Sequence, residues 1–266
     1  MWSDAEVDTS PALLRVEEDG PVATLTLDRP HQLNALSRGL LTALVEVCRR
    51  LDGRPDLKVL IVRGAGRAFS AGFALDDFAR PSEDASVRDT ADLGRVATEA
   101  LTGVPQLTIA AIHGHCIGGG LVLAAACDLR VAADDTRFAI PEVDLGIPLA
   151  WGGIPRLARE LGPAITKELV LTCRPFDAAE ARALRFLNAL VPADELDEHV
   201  GEMAQALASK PGFALRSTKE QVNAVMEEVA GTGRSAHDAD SLVAAQADPE
   251  CRAASRRYLE SRAARD

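Results

Sequence analysis

Hydrophobic positions along the chain switch between two periods. VATLTL, Val22 to Leu27, alternates as a half-buried strand does, and Asp28-Arg29-Pro30 stops it. Leu36, Leu40, Leu41, Leu44, Val45, Val47, Cys48 and Leu51 then form a helical stripe, with Ser37 placed to cap its start. Leu57 to Val62 reads as a second strand, buried on both faces and ending in the turn Arg63-Gly64-Ala65-Gly66. Another glycine-containing turn follows it, AFSAGFALDDF at Ala68 to Phe78. Arg80 to Asp92 is polar and charged and predicts a mobile surface segment, after which a helix runs to Pro105.

The stretch from Thr108 to Asp128 changes character halfway. Thr108 to Ile112 is a β-branched apolar run suited to a buried strand, and Leu121 to Ala126 is an Ala/Leu/Val run suited to a buried helix. Gly118, Gly119 and Gly120 sit at the join. Glycine permits φ > 0 and close approach of a ligand to the backbone, and the following helix offers free N–H groups and its positive end. The turn can therefore hold an oxygen carrying negative charge. A tight strand-to-helix connection uses the same residues, and this segment alone is compatible with both. Its length also matches a bilayer span, but His113, His115 and the three glycines at its centre argue against one. The G-x-G-x-x-G and G-x-x-x-x-G-K-[ST] phosphate-loop patterns both fail.

Short strands are expected at Leu129 to Ala132 and Arg137 to Ile140, the second ending at Pro141-Glu142. Leu145 to Trp151, with Gly146 and Pro148, reads as a loop; helices follow at Ile154 to Leu161, Ile165 to Thr172 and Ala178 to Arg185. From Pro192 onward the pattern is wholly helical, broken at Pro211-Gly212, Gly231-Thr232-Gly233 and Asp248-Pro249. Strands alternating with helices and then helices alone predict an α/β core, 1–195, and a helical region, 196–266.

Composition narrows the partners. The 266 residues carry 29 Lys and Arg against 40 Asp and Glu, a net charge of −11 with no basic run, so nucleic acid is not an expected partner. Five scattered cysteines without C-x-x-C spacing indicate neither a disulfide framework nor a zinc site. A reducing, cytoplasmic location is the expectation. MWSDAEVDTS at the start has no basic and apolar regions of a signal peptide.

The turns at Gly72-Phe73 and Gly118 to Gly120 gain meaning if they meet in space, because two convergent backbone N–H groups make an oxyanion hole. LDRPHQLNALS (Leu27 to Ser37), GRAFSAGFALDDF (Gly66 to Phe78), AAIHGHCIGGG (Ala110 to Gly120) and FAIPEVDLGIPLAWGGIPRL (Phe138 to Leu157) stand in the order and spacing of one known family. KELVLTCRPFDAAEA (Lys167 to Ala181) adds a fifth match. Over nearly its whole length the chain resembles the enoyl-CoA hydratase/isomerase (crotonase) superfamily. The resemblance implies an α/β spiral of β-β-α units with a C-terminal helical trimerisation region, assembled as a trimer or a hexamer. It implies an acyl-CoA thioester as substrate and no cofactor or metal beyond the coenzyme A that the substrate carries.

By position, the resemblance makes the N–H groups of Phe73 and Gly119 the oxyanion donors, flanked by Gly72, Gly118 and Gly120. Gln32, Leu33, Asn34 and Ala71 offer backbone contacts to the adenine and pantetheine portions. Glu142 falls at the family's catalytic glutamate, and an apolar wall of Ile140, Leu145 and Ile147 would raise its pKa towards neutrality. Val122 stands where hydratases of the family carry a second glutamate, and Ala150 stands near the Asp of dienoyl isomerases and aryl-CoA dehalogenases. These departures favour a one-glutamate 3-enoyl-CoA to 2-enoyl-CoA isomerase. The alternatives are a 2-enoyl-CoA hydratase of fatty-acid β-oxidation and a non-catalytic acyl-CoA-binding protein. Trp151 either lines the acyl pocket or packs under the next helix. Asp144 alternates with Glu142 in a strand-like way and reads as structural, His113 and His115 read as satisfied histidines, and Tyr258 is a weak candidate from a neighbouring C-terminal helix.

Overall fold

The computed structural model describes residues 13–74 and 87–263. The signal-peptide reading at the start, and residues 80–86 of the expected surface segment, lie outside the described residues. Its remainder, 87–92, belongs to a helix.

A hairpin opens the fold: β1 (Leu14–Asp19) pairs antiparallel with β2 (Val22–Leu27). Helix α1 (Arg38–Asp52) follows, its cap Ser37 accepting from the Leu40 N–H at 3.3 Å. Strand β3 (Val59–Gly64), helix α2 (Val87–Gly103) and strand β4 (Leu107–Ile112) come next. Two units then repeat one pattern, β5 (His115–Ile117) with α3 (Gly119–Ala125), and β6 (Leu129–Ala133), β7 (Arg137–Ala139) with α4 (Gly153–Leu161). Helix α5 (Pro163–Thr172), strand β8 (Phe176–Asp177), helix α6 (Ala178–Ala183) and strand β9 (Ala189–Val191) complete the core. Four helices end the chain: α7 (Leu196–Ala208), α8 (Gly212–Ala230), α9 (Asp238–Ala247) and α10 (Pro249–Ala263).

The large sheet has the order β1-β2-β3-β4-β6-β9, all neighbours but the first pair parallel; the small sheet has the order β5-β7-β8. Each turn of the chain visits the large sheet, then the small one, then a helix. The single-residue bridges Leu36 to Phe73 and Ser70 to Cys116 carry this pattern back to the first two turns. The result is a spiral of β-β-α units in which the segments leaving the small sheet are stacked as neighbours.

Strands β3 and β4 are buried on both faces, which explains their unbroken apolar runs. Leu60, Val62, Ala110 and Ile112 face the main core with α1 and α3, while Val59, Ile61, Ile109 and Ala111 face Leu196, Val200, Ala204 and Ala208 of α7. The helical region therefore covers the second face of the sheet. Lys219 of α8 is 7% exposed and fastens that helix to the Gln106 carbonyl and to Asp128, both at 2.9 Å. Helix α10 returns to the spiral, where Ser255 donates to the Leu145 carbonyl at 2.6 Å.

Strands β1, β5, β8 and β9 were not expected from the sequence. Three of them, β5, β8 and β9, have three residues or fewer, too short to show a period. EVDLG is not strand-like either: residues 142–146 form a turn, with Leu145 N–H donating to Pro141 and Ile147 N–H to Glu142.

Candidate active site

The two glycine turns meet. Ser70 pairs with the start of β5, its N–H donating to the His115 carbonyl and its carbonyl accepting from the Ile117 N–H, each at 3.0 Å. This registers the chain so that a β-carbon placed on Gly72 would lie 3.5 Å from the Gly119 nitrogen. Gly72 and Phe73 are held from the other side by Leu36, whose N–H donates to the Gly72 carbonyl at 2.8 Å. Among the described residues neither the Phe73 N–H nor the Gly119 N–H has an acceptor. Gly119 is the first residue of α3, so its free N–H coincides with the positive end of the helix.

Glu142 arrives from the next turn of the spiral. It lies three residues beyond β7, whose Ala139 carbonyl accepts the Gly118 N–H at 2.8 Å and so ties the two turns together. Its carboxylate rests on Gly118. That residue has φ +50° and no space for a β-carbon, which would collide with Glu142 Oε1, so both conformation and contact require glycine. The residue as a whole is half-buried, but Oε2 is sealed from solvent and has no hydrogen-bond partner among the described residues. Desolvation pushes the carboxyl up to about 7, opposed only by its own backbone N–H. A carboxyl poised there can both take and return a proton near neutral pH.

Trp151 closes the far side. Its backbone is left-handed at φ +62°, a conformation that costs a non-glycine residue about 1–2 kcal/mol. Thr98 Oγ1 donates to its carbonyl at 3.1 Å, and Asp238 accepts the next N–H, from Gly152, at 2.9 Å. The indole is 7% exposed and meets the Phe73 ring edge-on, centroids 5.7 Å apart.

The other expected residues divide. Gly120 packs on Ser70, and Ala150 is buried with its carbonyl accepting from the Gly153 N–H at 2.9 Å. Val122, one turn along α3, is wholly buried and packs against Gly153. Ala71 donates to the Leu33 carbonyl at 2.8 Å, which brings the 32–34 loop beside the site. Within that loop the N–H groups of Gln32 and Asn34 donate to Arg29, and that of Leu33 to Pro30. The Asn34 side chain spans the Arg29 N–H and the carbonyls of Ala65 and Ala68. It is a structural brace, and the surface the loop offers is mainly its shape. Asp144 is exposed in the turn, His115 is exposed, and His113 is bonded to the Gly66 carbonyl at 2.9 Å. Tyr258 is half-buried on α10.

Sequence reading missed Gly94, Thr98 and Asp238, which hold Trp151. Gly94 left one signal: a glycine in a helix interior, where it costs about 1 kcal/mol against Ala, marks a close packing contact. All described cysteines are free, no group of His, Cys, Asp and Glu suited to a metal occurs among the described residues, and no helix there is long and apolar enough to cross a membrane.

The model for the enoyl-CoA hydratase/isomerase family matches residues 17–265. The chain is 36% identical to a probable enoyl-CoA hydratase of Mycobacterium tuberculosis, over 82% of this chain and 84% of that one. It is 35% identical to the peroxisomal Delta(3,5)-Delta(2,4)-dienoyl-CoA isomerase of Arabidopsis thaliana, over 78% and 79% respectively. A Thermobifida fusca protein solved in complex with acetoacetyl-CoA has the same fold, with a TM-score of 0.74 at 31% identity over 86% of this chain and 93% of that one. With the spiral shared and the family model matched almost end to end, the chain belongs to the enoyl-CoA hydratase/isomerase family.

Proposed function

We propose that the protein is a 3-enoyl-CoA to 2-enoyl-CoA isomerase that works with a single glutamate. The thioester carbonyl oxygen lies between the N–H groups of Phe73 and Gly119. Glu142 takes a proton from C2, and the electron pair moves through C1 onto that oxygen, giving a dienolate. The same carboxyl returns the proton at C4, the double bond settles between C2 and C3, and the carbonyl re-forms. Each N–H contributes about 3 kcal/mol because the full charge is present on the oxygen only as the dienolate develops. The 32–34 loop and Ala71 border the coenzyme A portion, and the helical region joins copies of the chain into a trimer or a hexamer.

The observation that supports this reading best is the pairing of one desolvated carboxyl, Glu142, with an apolar Val122 on the adjoining helix. A water to be added across a double bond needs a second polar holder, and Val122 supplies none. The second reading is a 2-enoyl-CoA hydratase, favoured by the name of the mycobacterial relative. The two separate when purified protein is given 3-hexenoyl-CoA and 2-hexenoyl-CoA in parallel and the products are resolved. Migration of the double bond without 3-hydroxyacyl-CoA, abolished in Glu142→Gln, is the expected result. Efficient hydration would overturn it, and binding of both esters without turnover would mark a protein that only binds acyl-CoA.

A further inference from the structure

Trp151 stands beside the two glycine turns, its indole against Gly119 and the Phe73 ring. A thioester whose oxygen reaches both Phe73 N–H and Gly119 N–H hangs its acyl chain beside the side chains of those turns, and Phe73 and Trp151 form one aromatic wall there, ring planes at 89°. The wall is fixed from behind. A β-carbon on Gly119 of α3 would lie 2.5 Å from Cζ3 of the indole, and one on Gly94 of α2 would collide with its Cε2, so the ring is wedged between two helices at a glycine of each. Its left-handed backbone is pinned by Thr98 on one side and, through Gly152, by Asp238 on the other. A ring held in this way does not swing aside, since packed interiors resist displacement of even one methylene.

We infer that Trp151 is a specificity-determining residue that limits the site to short acyl groups. The inference rests on the acyl-CoA reading above and adds the substrate class to it. Thr98 and Asp238 are positioning residues, acting through the Trp151-Gly152 corner. Longer chains are refused because the wedged ring cannot move out of their way.

The test is calorimetric titration of wild type, Trp151→Phe and Trp151→Ala with free coenzyme A and with butyryl-, hexanoyl-, octanoyl- and decanoyl-CoA, saturated esters that bind without reacting. Wild type is expected to bind butyryl-CoA more tightly than decanoyl-CoA by more than about tenfold, since a pocket discriminates roughly that much per misfit methylene. Trp151→Ala should abolish or invert this preference, and Trp151→Phe should reduce it. If Trp151→Ala does not fold, as a thermal melt will show, Trp151→Phe decides: an unchanged ratio of butyryl to decanoyl affinity overturns the inference. Wild type binding both esters alike overturns it too, while the acyl-CoA reading stands. Esters that bind no more tightly than free coenzyme A would sink that reading and this inference together.

Discussion

Two carboxylates mark the opposite ends of α3, and they are held in opposite ways. Asp128, just past the C-terminal end, accepts from the Thr108 N–H at 2.7 Å, from the Thr108 hydroxyl at 2.8 Å and from Lys219 at 2.9 Å. Glu142, against the N-terminal end, has one oxygen sealed from water with no partner among the described residues. Three donors converging on Oδ2 make Asp128 a clamp between β4, β6 and α8. A desolvated carboxylate is held at the edge of ionisation, which suits proton transfer. On the proposed reading the fold separates architecture from chemistry, holding Asp128 with three donors and leaving Glu142 Oε2 with none among the described residues.

Breaking the chemical end should have the largest effect. Glu142→Gln is expected to lower kcat/KM by roughly a thousandfold, with acyl-CoA still bound, because the proton carrier is removed and its shape kept. A loss below tenfold would remove Glu142 from the reaction. At the other end, Asp128→Asn should cost about 3 kcal/mol in denaturant unfolding, since it leaves Lys219 buried and unpaired. Its turnover per folded molecule should stay near wild type; a rate loss as deep as that of Glu142→Gln would erase the contrast between the ends.

The contrast also has a pH signature. Burial raises the Glu142 carboxyl from the ordinary 4.5 to about 7 in the folded chain. Below the lower value it is protonated in both states and has no effect on stability. As pH rises through the window, the unfolded chain loses this proton before the folded one does, so stability falls, and the full cost is reached above the higher value. Glu142→Gln should therefore equal wild type in acid and exceed it by about 3 kcal/mol in mild alkali, measured by chemical denaturation at both ends of the window. Equal stability at both would show that the carboxyl is solvated. The smallest expected change is Ser255→Ala, about 1 kcal/mol from the lost bond to the Leu145 carbonyl, accompanied by a few-fold slower turnover because the Glu142 turn loosens.

Much of this was legible in the chain. The α1 stripe with its Ser37 cap, the doubly buried β3 and β4, and the glycine join before α3 each state their geometry through period and residue type. Glu142 was visible only through the resemblance, since a single acid after a short strand usually has no chemical role. The hold on Trp151 was not legible at all. Gly94, Thr98 and Asp238 come from helices far apart in sequence, and their meeting depends on the spiral stacking its turns. Of the small sheet only β7 was legible: β5 and β8 have three and two residues, and the pairing of all three strands is a long-range event with no local period.

The turn that carries Glu142 is completed by residues far downstream. Gly146 packs on the Cys251 carbonyl, and the Leu145 carbonyl waits for a hydroxyl 110 positions later. During synthesis the sheet and both glycine turns can form while that hydroxyl is still inside the ribosome. The turn that carries Glu142 is thus the last part of the site to be completed, once α10 has been translated.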